Sequence, residues 1–356
     1  MKRLAAGVVA AVVILTACTA TPAAGPSGPA GETTTSGLSP SAAAPVSPSA
    51  PVPSAPVPSA SEPEPSRPTG WLAAVTGDTG RLAILGDSFA SGEGAGSYRP
   101  AGDARRDSCH RSTYAVASEL FPPDSIANLA CSRATTGHLT APQTLAFREP
   151  TQPGAGPGSV PPQLQQLQGF DPTLVILSVG GNNLDFAGIL QACLLDTRPC
   201  TENPALRADA AVQLAALQPD LEAAYSALAS AVAAPVLVLP YPQLFDAPDG
   251  GCGRLSVEEQ GFARELVGEL NTVIRAAVNN VPQANVYFVE TAQDALAGHG
   301  ACSEEPYLHA ANVSGLLQAA DSPTANQELL HPTRQGYRAM TDAIVEWAAA
   351  YPVAAG

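Results

Sequence analysis

One stretch constrains the fold more than any other: the apolar run from Leu82 to Leu85, which stops at Gly86-Asp87-Ser88. Such a run, ended by glycine and polar residues, predicts a buried strand that delivers a polar side chain to the edge of a sheet. Open α/β sheets bind ligands at the carboxyl edge of their strands. Ser88 is therefore a candidate nucleophile, and a serine nucleophile needs a base, an orienting group and an oxyanion site.

Strands and helices alternate along the rest of the folded part. A second strong strand is predicted over 173–179, and it ends in Gly180-Gly181-Asn182-Asn183. It is apolar on both faces, as expected of a central parallel strand. The alternation predicts a three-layer α/β/α sandwich with a mostly parallel central sheet. Shorter strands are predicted over 126–130, 235–240 and 286–289, and a long connection over 291–328. Helices are predicted over 113–120, 161–167, 184–195, 206–233 with a break at Pro219, 256–278 and 331–350.

The first 70 residues are predicted to lie outside this sandwich. A basic start, a short apolar run and a closing Leu-Thr-Ala-Cys sequence at Cys18 indicate a secretory signal. The sequence Leu15-Thr16-Ala17-Cys18 resembles a bacterial lipobox, which implies removal of residues 1–17 and lipidation of Cys18. An ordinary signal peptide with a chance cysteine is the alternative. Residues 18–70, rich in Pro, Ala and Ser, predict a disordered tether or a passive stalk, and the folded domain is expected over 71–356.

Charge narrows the range of partners. The chain carries a net charge of −15. Cleavage before Cys18 would remove two basic residues and no acidic ones, leaving 15 basic and 32 acidic residues and a net charge of −17. This acidity argues against nucleic acid as a partner. No glycine-rich phosphate loop of standard spacing occurs, and the sequence predicts no cofactor. The protein is expected to be a monomer.

The cysteines indicate an oxidising compartment. Seven occur, and six remain if Cys18 is lipidated. An even number in an exported chain favours three disulfides. Six cysteines can pair in many ways, and pairing in sequence order is favoured because each adjacent pair brackets a predicted loop or insertion. A metal site near His299 and Cys302 is the alternative, but neither a CxxC pair nor an HxxxH spacing occurs, so no metal is predicted.

A serine nucleophile needs a base, and the chain has five histidines. His331 is best placed, because Pro332 restricts its backbone and suits the first position of the following helix. Glu328 lies three residues earlier and is predicted to fold back onto Nδ1 of the imidazole, which would set its tautomer. A helix-capping histidine beside a solvated glutamate is the alternative. The remaining histidines are predicted to be structural or surface residues: His110, His138, His299 and His309.

Three motifs in order carry a resemblance. Gly86-Asp87-Ser88, Gly180-Gly181-Asn182 and His331-Pro332-Thr333 are similar to the motifs of the SGNH hydrolases, also called GDSL-type lipases and esterases. The match spans residues 81 to about 340. The resemblance implies a flavodoxin-like α/β/α fold and ester hydrolysis. The G-x-S-x-G elbow of the α/β-hydrolases is absent, which argues against that fold. Secreted, disulfide-bonded actinobacterial members are most similar, through the segments 86–98, 109–112 and 130–132.

The resemblance implies a role for each matching residue. Ser88 is the implied nucleophile and His331 the implied base. The implied oxyanion donors are the backbone N–H groups of Ser88 and Arg133 and the side-chain amide of Asn182. The implied disulfides are Cys109–Cys131, Cys193–Cys200 and Cys252–Cys302.

Three positions depart from the family pattern. Arg133 stands where glycine is usual, and its N–H can still donate if the backbone geometry is allowed and the side chain points away. Asn183 stands where aspartate is usual, and a structural effect is expected. Glu328 also replaces an aspartate. In some relatives a backbone carbonyl orients the histidine instead.

The sequence therefore predicts an exported serine ester hydrolase, a lipase or carboxylesterase acting on a small-molecule or lipid ester. Its expected location is the outer face of the cell membrane through lipid on Cys18, or outside the cell if Cys18 is not lipidated. Two alternatives stay open. An esterase for acetylated or cell-envelope glycans would use the same residues. A non-catalytic solute-binding lipoprotein would share the signal and tether, but binding gives no reason for the ordered set of Ser88, Asn182 and His331.

Overall fold

The structure is a computed structural model built around a parallel sheet. It describes residues 66–99, 109–145, 158–195, 198–247, 250–253, 255–309 and 328–354. The predicted signal, the lipidation of Cys18 and the tether up to residue 65 lie outside the described residues. The strands are β1 Leu82–Gly86, β2 Ile126–Asn128, β3 Gln143–Thr144, β4 Ser159–Val160, β5 Leu174–Ser178, β6 Val236–Val238 and β7 Val286–Phe288.

The central sheet has the strand order β2-β1-β5-β6-β7, and every neighbouring pair is parallel. This is the flavodoxin order, in which the topology reverses direction between the first strand and the third, here β1 and β5. Both strands are buried along their whole length, as their apolar sequences predict. Ligands bind outside the carboxyl ends of the strands at such a switch point. The loops after β1 and β5 are therefore the expected location of a site.

Helices cover the buried sheet and confirm the predicted α/β/α arrangement. Helix α5 (Pro204–Ala231) packs against α6 (Val257–Asn280). Helix α1 (Gly70–Thr76) packs against α7 (Arg334–Ala350), where the ring of Trp71 meets that of Trp347 edge-on at 6.4 Å. Within the described part of the chain, no helix combines the length and apolarity needed to cross a membrane. The helices are α1 Gly70–Thr76, α2 Ser88–Ser91, α3 Gln163–Gln166, α4 Phe186–Leu195, α5 Pro204–Ala231, α6 Val257–Asn280 and α7 Arg334–Ala350.

The predicted helix over 113–120 is wrong. Only Ser118–Leu120 forms a single 3₁₀ turn there. Ala117 has φ of 62°, in the left-handed region that a right-handed helix excludes. The Ser112 hydroxyl also accepts from the N–H of Tyr114 at 2.9 Å, which stabilises a turn in place of a helix. Ala115, Val116 and Ala117 are buried in an irregular loop.

Two helix boundaries also differ from the prediction. Helix α5 runs through Pro219 without a break, because leucines such as Leu217 and Leu221 bury that face of the helix and outweigh one missing backbone hydrogen bond. Helix α7 begins at Arg334 and not at Pro332. Its N-cap is Thr333, whose hydroxyl accepts from the N–H of Gly336 at 3.3 Å.

Candidate active site

The nucleophile candidate Ser88 is the first residue of α2, directly after β1. Gly86 has φ of 123°, and a Cβ there would lie 1.9 Å from the carbonyl oxygen of Ser178 in β5. Only glycine therefore allows β1 to turn against the end of β5. Asp87 caps the turn, since its Oδ1 accepts from the N–H of Phe89 at 3.0 Å. These contacts hold Ser88 at the predicted edge of the sheet.

His331 lies against Ser88 although 243 positions separate them in the chain. Its Nε2 is 2.8 Å from Ser88 Oγ, within hydrogen-bond distance. The carbonyl of His331 accepts from the N–H of His309 at 3.0 Å, which fixes the backbone. The imidazole packs 5.1 Å from the ring of Phe89, and 17 % of the side chain is exposed. The structure thus brings together the serine and the histidine that the sequence singles out.

The structure does not place Glu328 in its predicted role. Its Oε1 accepts from the hydroxyl of Tyr98 at 2.6 Å. Among the described residues, no group makes a hydrogen bond of normal geometry with the buried Nδ1 of His331. The carbonyl of Leu329 is the acceptor that raises the pKa of this imidazole. The physical reason is a tight turn. The N–H of His331 donates to the carbonyl of Glu328 at 2.9 Å across the left-handed Leu330.

Burial lowers the pKa of His331, because a buried imidazole loses the hydration that stabilises its charged form. Glu93 and the carbonyl of Leu329 raise this pKa, whereas His309 and His110 lower it further. The net effect leaves the pKa below its usual value. At neutral pH the imidazole is therefore neutral, the form that accepts a proton.

The remaining site residues implied by the resemblance lie on neighbouring loops. Asn182 follows β5, and its Nδ2 donates to the carbonyl of Ala134 at 3.0 Å. Arg133 is exposed and has φ of 65°, a left-handed conformation that costs a non-glycine residue about 1–2 kcal/mol. That conformation explains why glycine is usual there. Asn183 accepts from the N–H of Thr136 at 3.0 Å, a structural contact as expected.

Sequence reasoning misses a buried link beneath the nucleophile. The hydroxyl of Tyr241, after β6, donates to Asp87 Oδ2 and accepts from the N–H of Gly181 at 2.9 Å. It thereby joins the Ser88 loop to the Asn182 loop. Asp87 is only 1 % exposed, and burial raises its pKa to about 7, although the hydrogen bonds from Tyr241 and Phe89 oppose the shift.

This raised pKa predicts a pH-dependent stability. A carboxyl group whose pKa is higher in the folded state binds a proton that the unfolded chain releases, so stability falls as pH rises towards the folded pKa. Asp87→Asn removes this group and keeps an oxygen to cap α2. We expect the free energy of unfolding of the wild type to fall by about 2–3 kcal/mol more than that of Asp87→Asn between pH 5 and pH 8. Urea unfolding with the disulfides intact measures the difference, and parallel pH profiles would contradict the assignment.

A second buried carboxylate, Glu93, lies beside the Ser–His pair and is also missed from the sequence. Its Oε2 accepts from Ser132 Oγ at 2.5 Å and lies 4.0 Å from Nε2 of His331, while its Oε1 lies 3.5 Å from Nδ1 of His110. Burial acts to raise the pKa of Glu93, but His331, His110 and Ser132 together outweigh it, and the pKa is lowered. One signal was available: an acidic residue between two glycines, directly after the nucleophile helix.

The other histidines fall into two groups. His309 and His110 border the site, and His309 Nε2 lies 2.8 Å from the carbonyl of Gly94. His138 and His299 make local contacts: Nδ1 of His138 accepts from the N–H of Thr135 at 2.9 Å, and His299 stacks on the ring of Tyr307.

The six cysteines form three disulfides in the sequence order that the resemblance implies. The first joins the segments that carry His110 and Ser132. Among the described residues, Cys193, Cys200 and Glu259 lie close enough to form a metal-ligand group, but both sulfurs are in a disulfide. A disulfide sulfur is not the thiolate that binds metals. The pairs are Cys109–Cys131, Cys193–Cys200 and Cys252–Cys302.

A parallel sheet in the flavodoxin order, with a serine and a histidine in contact at its switch point, is an arrangement that suits nucleophilic catalysis by an enzyme of the α/β/α class. The chain belongs to the GDSL-like Lipase/Acylhydrolase family, whose sequence profile matches residues 84–339. It is therefore a carboxylic ester hydrolase. The match includes Ser88, Asn182 and His331.

Two lipases and two solved structures are similar to this chain over two thirds of its length or more. Lipase 1 of Streptomyces coelicolor and a lipase of Streptomyces rimosus are each 29 % identical over 248 residues, which is 68 % of this chain and 81 % or 80 % of theirs. The crystal structure of an extracellular lipase from Streptomyces rimosus has a TM-score of 0.55 at 26 % identity, covering 76 % of this chain and 98 % of that one. Phospholipase A1 from Streptomyces albidoflavus has the same fold, with a TM-score of 0.54 at 22 % identity, covering 76 % of this chain and 98 % of its own.

Proposed function

We propose that the protein is an exported lipase or carboxylesterase in which Ser88 is the nucleophile and His331 the general base. The observation that carries this proposal is the 2.8 Å contact between His331 Nε2 and Ser88 Oγ at the switch point of the sheet. A serine hydroxyl becomes a nucleophile only when a base accepts its proton. The lowered pKa of His331 supports the role, because the neutral imidazole is the form that accepts.

In the acylation step, Ser88 Oγ attacks the ester carbonyl carbon while its proton passes to His331 Nε2. The carbonyl π electrons move to oxygen and form a tetrahedral oxyanion. The C–O bond to the alcohol then breaks, and the proton on Nε2 passes to the leaving oxygen. The products are the free alcohol and an acyl group bonded to Ser88.

Deacylation repeats these steps with water. His331 Nε2 takes a proton from water as the water oxygen attacks the acyl carbon. The bond to Ser88 Oγ then breaks, and the proton returns from Nε2 to that oxygen. The carboxylic acid leaves and the free serine is restored.

The oxyanion donors in the proposal are the N–H groups of Ser88 and Arg133 and the Nδ2 of Asn182. An amide NH₂ has two N–H groups. One of them donates to the carbonyl of Ala134 and orients the side chain, which supports a role for the other as the donor. The left-handed backbone of Arg133 is the conformation that glycine favours, and it supports donation through the backbone N–H, as does the exposure of this residue.

Asn182→Ala is expected to lower kcat by about 10²–10³-fold with a small change in KM, because an oxyanion donor acts mainly in the transition state. Asn183→Ala is the matched control. Its amide contacts Thr136, so we expect lower thermal stability and a kcat within about tenfold of the wild type. Steady-state kinetics on one ester measures both variants. An unchanged kcat in Asn182→Ala would remove Asn182 from the oxyanion site.

A panel of esters tests the substrate class. The relatives are lipases by name, which supports fatty-acyl esters over acetylated glycans. We expect hydrolysis of fatty-acyl esters of glycerol or simple alcohols, with little acetate release from acetylated xylan or peptidoglycan. Preferred release of acetate from glycans would instead favour a glycan esterase. No hydrolysis of any ester by the purified protein would overturn the proposal.

Export and anchoring are part of the proposal. Three disulfides are typical of oxidising compartments, and one similar lipase is extracellular. The lipobox-like sequence at Cys18 supports a lipid anchor on the outer face of the membrane. Esterase activity should then sediment with membranes and move to the medium in Cys18→Ser. Activity confined to the cytoplasm would contradict export.

A further inference from the structure

We propose that Glu93 is a positioning residue that stabilises the imidazolium of His331 from the Ser88 side of the ring. The inference rests on the proposed Ser88–His331 chemistry. In a serine–histidine–carboxylate triad, the acid binds Nδ1 of the imidazole. Here Nδ1 has no hydrogen-bonded carboxylate among the described residues, and the nearby Glu328 accepts from Tyr98. The structure provides a carboxylate at the opposite nitrogen.

The position of Glu93 fits an electrostatic role. Its Oε2 lies 4.0 Å from His331 Nε2, the nitrogen that gains the proton during acylation. The side chain is only 4 % exposed, so solvent screens the attraction weakly. A distance of 4.0 Å leaves Nε2 bonded to Ser88, since Ser88 Oγ is closer at 2.8 Å. Glu93 can therefore stabilise the positive charge without displacing the nucleophile.

Other groups keep Glu93 ionised and fixed. The hydroxyl of Ser132 donates to its Oε2, and His110 lies 3.5 Å from its Oε1. The N–H of Glu93 donates to the carbonyl of Ser88 at 3.2 Å, and its own carbonyl accepts from Tyr337 at 2.9 Å. The first disulfide holds the segments of His110 and Ser132 together. Two contacts thus bind the backbone of Glu93 and two bind its carboxylate.

The titratable groups that act on His331 come from several elements. Glu93, after α2, raises the pKa of His331, while His309 and His110 lower it. Asp87 and the hydroxyls of Tyr98 and Tyr337 also lie in the field of Glu93. Glu93→Gln leaves these other titratable groups in place, so the effect of Glu93 on His331 is measured as a difference from the wild type.

Glu93→Gln keeps the size and hydrogen-bonding oxygen of the side chain and removes its charge. An opposite charge within about 4–6 Å shifts a pKa by about 1–3 units. We therefore expect the acid limb of the pH–rate profile, which reports His331 in the free enzyme, to move down by at least about one pH unit. The plateau rate should fall about tenfold or more, because the imidazolium in the transition state loses the same stabilisation. The rate of Ser88 labelling by a fluorophosphonate, measured from pH 4 to pH 9, gives both quantities without a substrate-binding step.

Ser132→Ala is the matched control. It removes a hydrogen bond to Glu93 but leaves the charge, so we expect an acid limb within about 0.3 pH units of the wild type. A slower plateau in both variants with unshifted acid limbs would overturn the proposal and leave Glu93 a purely structural role. If Glu93→Gln fails to fold, NMR titration of Glu93 and His331 in the wild type replaces it: Glu93 should still be ionised at the pH where His331 gains its proton, and a Glu93 that is already protonated at that pH would overturn the proposal. A wild-type protein that never labels at Ser88 would overturn the proposed function itself.

Discussion

Ser88→Ala is expected to lower kcat for ester hydrolysis by at least about 10⁴-fold, because the acyl intermediate of the proposed mechanism forms on Ser88 Oγ. The fold should survive. Ser88 is the first residue of α2, alanine suits a helix, and the change removes only the hydroxyl that contacts His331. Steady-state kinetics measures the loss, and circular dichroism together with thermal unfolding checks that the structure is retained.

Ser91→Ala is the matched control for Ser88→Ala. Ser91 lies in the same helix and is fully buried, and its hydroxyl donates to the carbonyl of Ser88 at 3.2 Å. Its loss should cost about 1 kcal/mol of stability and leave kcat within about tenfold of the wild type. Turnover by Ser88→Ala at a rate similar to that of Ser91→Ala would show that Ser88 is not the nucleophile.

His331→Ala is the second substitution with a large expected effect. The loss of the base should lower kcat by about 10⁴-fold or more, because the hydroxyl of Ser88 would have no proton acceptor at 2.8 Å. The substitution leaves an opening beside Phe89, on which the imidazole packs. Added imidazole should therefore restore part of the activity. Kinetics with and without imidazole measures both effects.

His299→Gln controls for the loss of a histidine, because the contacts of His299 are local: its ring stacks on Tyr307 and its Nδ1 lies 2.8 Å from the carbonyl of Glu305. Its kcat should stay within about threefold of the wild type.

The wild type should also keep its activity below pH 6.5, since burial lowers the pKa of His331. Full activity of His331→Ala, or an acid limb above the usual histidine pKa, would contradict the role of His331.

The motif residues were predictable because local sequence fixes their place. An apolar strand that ends at a glycine leads directly to Ser88, and the equivalent pattern leads to Asn182. Parallel strands place their carboxyl ends at one edge of the sheet, so both loops were expected at that edge. His331 followed from the restriction that proline imposes on the preceding residue. The central sheet and its carboxyl-edge site were therefore predictable without coordinates.

The residues that surround this pair were not predictable, because they meet through long-range contacts. Tyr241 is 154 positions from Asp87, and its hydroxyl could have pointed in any direction after β6. Glu93 and Ser132 are 39 positions apart. Their contact depends on how two irregular loops fold over the sheet. Neither loop has a periodic pattern that a sequence could reveal.

Short-range reasoning failed where the backbone adopts left-handed conformations. Glu328 is three residues from His331, a spacing that would suit a contact, but Leu330 has φ of 60° and the carboxylate accepts from Tyr98. Ala117 has φ of 62° and prevents the helix that its neighbours favour. Alanine and leucine rarely adopt this conformation, so their sequence gives no warning of it.

The most direct test of the account is covalent labelling with a fluorophosphonate, followed by peptide mapping with mass spectrometry. The account predicts one phosphonyl group per wild-type chain, bonded to Ser88 Oγ in the peptide that contains Gly86-Asp87-Ser88. The adduct should be absent in Ser88→Ala and should form much more slowly in His331→Ala. An adduct on another residue, or ester hydrolysis that persists after Ser88 is fully labelled, would contradict the assignment of Ser88 as the nucleophile.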